Sequence, residues 1–177
     1  MIIRQFKKSD IQKVQSLIIE VWDELYLNYF SREDLNVKIN KSYSDDALLS
    51  EFNKENMYNI LVEDKGDIVG VCKSLYNPEK KLLSVGELYV SKKLRGKGLG
   101  LELLINPVKH FLPDKVELET HFKNINAQKF YQKHNFRVTG EIVKNWGRSS
   151  STWYSMENIN PLHLLSNNGD AEVAATD

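Results

Sequence analysis

The chain has one cysteine, four prolines, no net charge and no long apolar run, and each scarcity removes a class of protein. A single cysteine, Cys72, among 177 residues cannot close an internal disulfide. A disulfide-stapled scaffold is therefore excluded, and a reducing, cytoplasmic compartment is the expectation. Lys and Arg number 24 against 24 Asp and Glu, so the molecule as a whole has no drive toward nucleic acid or an anionic membrane surface. No apolar stretch approaches the roughly 18 residues of a membrane span. The opening "MIIRQFKKSD" is not followed by the apolar core of a signal peptide. The histidines, His110, His121, His134 and His163, share no ligand spacing with one another or with Cys72, which argues against a metal site. Cys72 reads as a small buried hydrophobe. There is no Gly-x-Ser-x-Gly elbow, P-loop or dinucleotide fingerprint.

What is present is the composition of a soluble globular domain, 41% hydrophobic and 27% charged. The length suits a single domain. "IIRQF" (Ile2 to Phe6) is strand-like. Ser9, three residues before Gln12, has capping-box spacing, and Ile11, Val14, Ile18, Val21, Trp22 and Leu25 recur at helical intervals. Asp34 to Ile39 and Ala47 to Phe52 read as two helical pieces separated by a loop. Met57 to Asp64 and Ile68 to Tyr76 flank Lys65-Gly66-Asp67 as a hairpin, and Leu82 to Val90 reads as a buried strand. The apolar spacing from Gly98 to Leu112 is helical, with Pro107 predicting a kink or break near Asn106. Lys115 to Phe122 is strand-like, Asn124 to His134 a short helix, and Asn135 a left-handed C-cap. Two closing strands, "FRVTGEIVK" and "STWYSMENI", bracket the turn "NWGRSSS". The expectation is a mixed α/β domain over residues 1–160 with a flexible tail over 161–177.

The conspicuous motif is "SKKLRGKGLG", Ser91 to Gly100, between a buried strand and an apolar helix. A helix N-terminus offers unpaired backbone N–H groups and the positive end of the macrodipole. Glycines at 96, 98 and 100 would let a phosphate approach those amides, with Arg95 and Lys97 adding charge. A flexible turn and a basic patch for nucleic acid are the competing readings. The placement favours phosphate, while the zero net charge and the lack of a recognition motif count against nucleic acid.

Together with its neighbours, this motif resembles a known family. "ELYVSKKLRGKGLG" is similar to the pyrophosphate-binding motif of the GCN5-related N-acetyltransferases (GNAT), Arg/Gln-x-x-Gly-x-Gly/Ala. "NINAQKFYQKHNF" is similar to their Asn-x-x-Ala-x-x-Phe-Tyr-x-Lys-x-Gly-Phe signature, with Asn135 where glycine is usual. "WYSM" resembles the ending of their last strand, and "IIRQFKKSDIQKVQSLI" their first strand and helix. The match covers most of residues 1–158 except about 30–56.

The resemblance implies a GNAT fold, a mixed and mostly antiparallel sheet of six to seven strands flanked by about four helices. It further implies acetyl-CoA as the acetyl donor, no metal, and direct transfer to a primary amine in a ternary complex. By position, Leu88, Tyr89 and Val90 would offer backbone to the pantetheine arm and the thioester. Arg95, Gly96, Lys97, Gly98, Leu99 and Gly100 would hold the pyrophosphate, and Asn124, Ala127 and Tyr131 would complete the donor site. The strand around Glu87 to Val90 would splay from the Lys115 to Thr120 strand. Glu87 would remove the amine's proton, with Glu117 and Glu119 as lesser candidates, and Tyr131 would protonate the departing thiolate. Tyr26 and Tyr29 would touch the acceptor, in a pocket shaped by residues 30–56 and 145–151. The acceptor itself, small molecule or protein, is not encoded in any motif. A homodimer is common in the family. The alternative to an enzyme is a catalytically silent acyl-CoA sensor or interaction module on the same fold.

Overall fold

The structure is a computed structural model that describes residues 1–166. Its strands are β1 (Ile2–Gln5), β2 (Met57–Asp64), β3 (Asp67–Asn77), β4 (Leu82–Val90), β5 (Lys115–His121), β6 (Arg137–Trp146) and β7 (Ser149–Asn158). They form one seven-stranded sheet in the order β1-β2-β3-β4-β5-β7-β6. Every neighbouring pair is antiparallel except β4 and β5. The helices are α1 (Ile11–Tyr26), α2 (Arg32–Tyr43), α3 (Asp45–Glu51), α4 (Leu99–Phe111), α5 (Ile125–Lys133) and the short α6 (His163–Ser166). The expected tail therefore begins with a helical turn that buries Leu164 at 2% exposure. Its remainder, 167–177, lies outside the described residues. None of the described helices is long and apolar enough to cross a membrane.

Two apolar cores sit on opposite faces of the sheet. One joins α1, α2 and α3 through Val14, Ile18, Trp22, Leu35 and Leu48 to Leu61 and Val71. The other joins α4 and α5 through Leu103, Leu104, Val108 and Tyr131 to Leu83, Val116 and Met156. Side chains alternate across a strand, so β2 supplies both, Leu61 to the first core and Ile60 and Val62 to the second.

Two local expectations are corrected, and a third in part. The Ser9 and Gln12 capping box does not form. A single 3₁₀ turn over Lys8–Asp10 precedes α1, the Asp10 carboxylate accepts the Lys7 N–H at 2.8 Å and two Arg4 bonds at 2.7 and 2.9 Å, and Gln12 reaches Asp45. There is no loop between α2 and α3. Ser44 alone joins them, ending α2 in an extended conformation while its hydroxyl accepts the Ala47 N–H at 3.3 Å to start α3. Pro107 does not break α4, which continues to Phe111. The proline denies the Leu103 carbonyl its usual donor, but Leu103, Leu104 and Val108 are fully buried and hold the helix against the sheet. Asn135 does adopt the left-handed conformation, φ 64°.

Candidate active site

The parallel pairing of β4 and β5 stops at Val85, opposite Leu118. Beyond it the two strands part, as a splayed site requires. On its other edge β4 carries a bulge, since Lys73 faces Glu87 and Ser74 faces Val85, leaving Gly86 without a partner. The extra residue shifts the pleat by one position. Leu83, Val85, Leu88 and Val90 therefore all serve the α4 core. Glu87 instead emerges on the face of the α1–α3 helices, beside Lys73 and Tyr43.

On that face lies a cavity of about 440 Å³. Trp22, Tyr43, Trp146 and Trp153 form its aromatic wall, and Glu87, Glu117, Glu119 and Glu157 supply carboxylates, with Lys38 and Lys144 as cations. The Tyr43 hydroxyl donates to Glu87 Oε1 at 2.9 Å, and Lys73 Nζ lies 3.6 Å from Oε2. Glu117 accepts from Ser84 at 2.6 Å, and Glu119 is ion-paired with Lys144. Burial lowers the Lys38 pKa and raises that of Tyr43 well above its ordinary range. The Trp22 indole donates to the Tyr89 hydroxyl at 3.0 Å. The Trp153 indole N–H is buried without a partner.

A second cavity, about 590 Å³, occupies the gap and continues under the glycine loop to α5. The two cavities share Val85, Gly86, Tyr89, Glu119 and Trp153. At the loop end, Gly96 and Gly98 have φ of +78° and +83°, which glycine adopts without strain. Gly98 starts α4 with no side-chain cap, so the helix presents its first amides to the cavity unscreened. That arrangement suits an anionic group. Arg95 crosses the mouth of the gap, its Nε 2.9 Å from the Val90 carbonyl and its guanidinium in two 2.9 Å bonds to Glu24. At the far wall, Asn124 accepts the Ala127 N–H at 3.2 Å to start α5, which carries Tyr131. Burial raises the Tyr131 phenol far above its usual pKa, so it keeps its proton.

The expected donor-site residues Leu88, Tyr89, Val90, Arg95, Gly96, Gly98, Gly100, Asn124, Ala127 and Tyr131 all line this larger cavity. Lys97 and Leu99 do not. Lys97 points to solvent, and Leu99 turns into the α4 core at 6% exposure. Tyr26 lines the larger cavity and is otherwise enclosed by Trp22, Phe30, His121 and Trp153. Tyr29 is 46% exposed and lines neither cavity.

Residues 26–153 match the family model described as an acetyltransferase (GNAT) domain. The chain belongs to the GNAT acetyltransferase family. Solved structures share its fold at low identity. The PaiA N-acetyltransferase of Thermoplasma acidophilum, in complex with coenzyme A, is 20% identical, with a TM-score of 0.75 over 89% of this chain and 98% of that one. A ribosomal-protein-alanine N-acetyltransferase from Brucella melitensis is 17% identical, with a TM-score of 0.66 over 90% and 99%. A mutant spermidine N-acetyltransferase, SpeG, from Vibrio cholerae is 14% identical, with a TM-score of 0.67 over 94% and 97%. A comparison with curated protein sequences finds no match.

Several residues of this GNAT chain have no motif to announce them. Lys73 is one, although a lysine inside the apolar run "IVGVCKSLY" is itself a signal that a buried charge needs a partner. Tyr43 and Lys38 come from the stretch whose sequence is least legible, and Lys144, Trp146 and Trp153 from the closing hairpin. The bulge has a legible sign after the fact, the glycine inside "LLSVGELYV".

Proposed function

We propose that this GNAT protein transfers an acetyl group from acetyl-CoA to a primary amine, directly, with both substrates bound. The observation that carries the reading is the meeting of the two cavities where β4 leaves β5, around Gly86, Tyr89, Glu119 and Trp153. The larger cavity suits the donor. The amides at the start of α4 and the glycine string would hold the pyrophosphate, with Arg95 exchanging its Glu24 partner for phosphate. Backbone released from the sheet at Leu88 and Val90 would run along the pantetheine arm. The smaller cavity, with its carboxylates, suits an amine that arrives as an ammonium ion.

Glu87 would take the proton from that ammonium, freeing the nitrogen lone pair to attack the thioester carbon. A main-chain N–H near Tyr89 would face the developing oxyanion. As the tetrahedral intermediate collapses, the nitrogen loses its second proton to solvent, the carbon–sulfur bond breaks and its electron pair leaves with sulfur, and the Tyr131 phenol gives its proton to the thiolate and is re-protonated from solvent. Glu119 is the competing base, because it alone among the cavity carboxylates lines both spaces. Its ion pair with Lys144 and its greater exposure favour Glu87, which two neighbours hold in place.

Release of free thiol from acetyl-CoA tests the reading, with spermidine, lysine, an aminoglycoside and an alanine-terminated peptide as acceptors. Turnover with at least one amine is expected, and E87Q should lower kcat by about 10²–10³ while E119Q does less. Tight CoA binding with no thiol release across the panel would favour the silent sensor instead.

A further inference from the structure

Lys73 lies in the middle of β3 at 2% exposure, inside the wall behind Glu87 rather than in the cavity itself. Its ammonium is 2.7 Å from Glu51 Oε1 and 3.6 Å from Glu87 Oε2, and it stands over the Tyr43 ring at 5.2 Å. Glu51, at the end of α3, lines neither cavity. One cation thus faces two carboxylates, and the closer of the two cannot reach a substrate.

We propose that Lys73 and Glu51 are positioning residues for the acetyl transfer, a buried charge pair that fixes Glu87 and sets how readily it accepts the acceptor's proton. The proposal rests on the reading of Glu87 as the base. A lysine paired with Glu87 alone would stabilise its carboxylate and weaken it as a base. Glu51 occupies the nearer side of the ammonium and holds most of its charge, so Glu87 keeps a hydrogen bond from Tyr43 and only the more distant half of an ion pair. When the acceptor's N–H bond breaks, the electron pair stays on nitrogen and the proton joins a Glu87 oxygen. Lys73 and Glu51 then remain paired with each other, and no uncompensated cation is left buried.

Other charges face Glu87 from each packed element. Lys38 and Tyr43 of α2, Lys144 of β6, Glu117 and Glu119 of β5 and Glu157 of β7 share the cavity with it. Cys72 and Tyr89, on β3 and β4, interact with it from within the sheet. None of these lies between two carboxylates as Lys73 does. Burial raises the Glu51 pKa while Lys73 lowers it, as expected of a carboxylate that depends on that lysine.

The test is the ionisation of Glu87 itself, which needs no acceptor. Protein carrying carboxyl-labelled glutamate is titrated by carbon NMR, with the Glu87 resonance assigned by its loss in E87Q. E51Q frees Lys73 for Glu87 and should lower the midpoint by about one pH unit. K73M leaves two carboxylates without their cation and should raise it by about one unit. K73R should stay near wild type. K73M is the variant most exposed to misfolding, and E51Q alone decides: a Glu87 midpoint unchanged or raised in E51Q overturns the proposal. Opposed shifts combined with wild-type turnover by E87Q would overturn only the base assignment and leave the charge coupling standing.

Discussion

A methyl group at Gly98 would act on the backbone and on the anion cradle together. With φ at +83°, an L-residue is strained there, and the added carbon would meet no protein atom within 4 Å, so it would stand in the open groove. Gly98→Ala should weaken CoA binding by about tenfold, or about 1.4 kcal/mol, measured by calorimetry. His121 offers a second residue-scale prediction. It is buried beneath Tyr26, Tyr29 and Trp153, with Nε2 2.7 Å from Ser151 Oγ and Nδ1 accepting the Lys123 N–H. Burial lowers its pKa from 6.5 to about 4. Between those values the unfolded chain binds the proton and the folded one does not. Its contribution to stability is therefore complete above pH 6.5 and is lost as pH falls toward 4. Denaturation at several pH values should show a fall of up to about 1 kcal/mol per pH unit in this window, and H121Q should flatten it.

Among the elements, the β6–β7 turn ties the closing hairpin to α2. Gly147 has φ of +60°, and the Asp34 carboxylate, from the first turn of α2, accepts the Arg148 N–H at 2.9 Å and the Ser149 hydroxyl. A Cβ at Gly147 would collide with that carboxylate. Gly147→Ala should cost about 2 kcal/mol, from left-handed strain and the lost turn contacts together, seen as a fall of about 4–8 °C in Tm. This docking brings Trp146 onto Trp22 and so completes the aromatic wall of the smaller cavity. Nothing in "NWGRSSS" announces it, because its partner lies more than a hundred residues away. The cap at Asn124 was legible for the opposite reason, since a local side chain satisfies a local amide, and the glycine loop because its glycines are neighbours in sequence of the α4 amides they leave uncovered. The Leu82–Val90 strand was legible as an apolar run, yet the face taken by Glu87 depends on a bulge that is set by pairing with β3. Ser44 was missed because one residue serving two helix ends leaves no loop composition to read.

For the whole molecule, one sheet carries both cores, and strands such as β2 contribute to each. Neither face can lose its packing without exposing the other, so a single unfolding transition is expected. A ligand that binds only the folded chain adds RT ln(1 + [L]/Kd), about 2.7 kcal/mol at a hundredfold excess over Kd. CoA at that excess should raise Tm by about 5–10 °C, measured by calorimetry, and the rise should shrink in Gly98→Ala at the same CoA concentration. A Tm insensitive to CoA would contradict the donor-site assignment. At this scale the sequence was most informative, because the order of apolar runs carries most of the order of strands and helices, and the family resemblance supplies the sheet they form. The smaller cavity was least legible, because its lining is assembled from α1, α2, β4, β5, β6 and β7.

All three tryptophans of the chain, Trp22, Trp146 and Trp153, belong to that lining. Trp146 lies 5.0 Å from Trp22 and 5.3 Å from Trp153, centre to centre. The protein's entire indole emission thus originates at one place, beside the carboxylates of the smaller cavity. Unlabelled protein carries its own optical reporter for whatever enters that cavity.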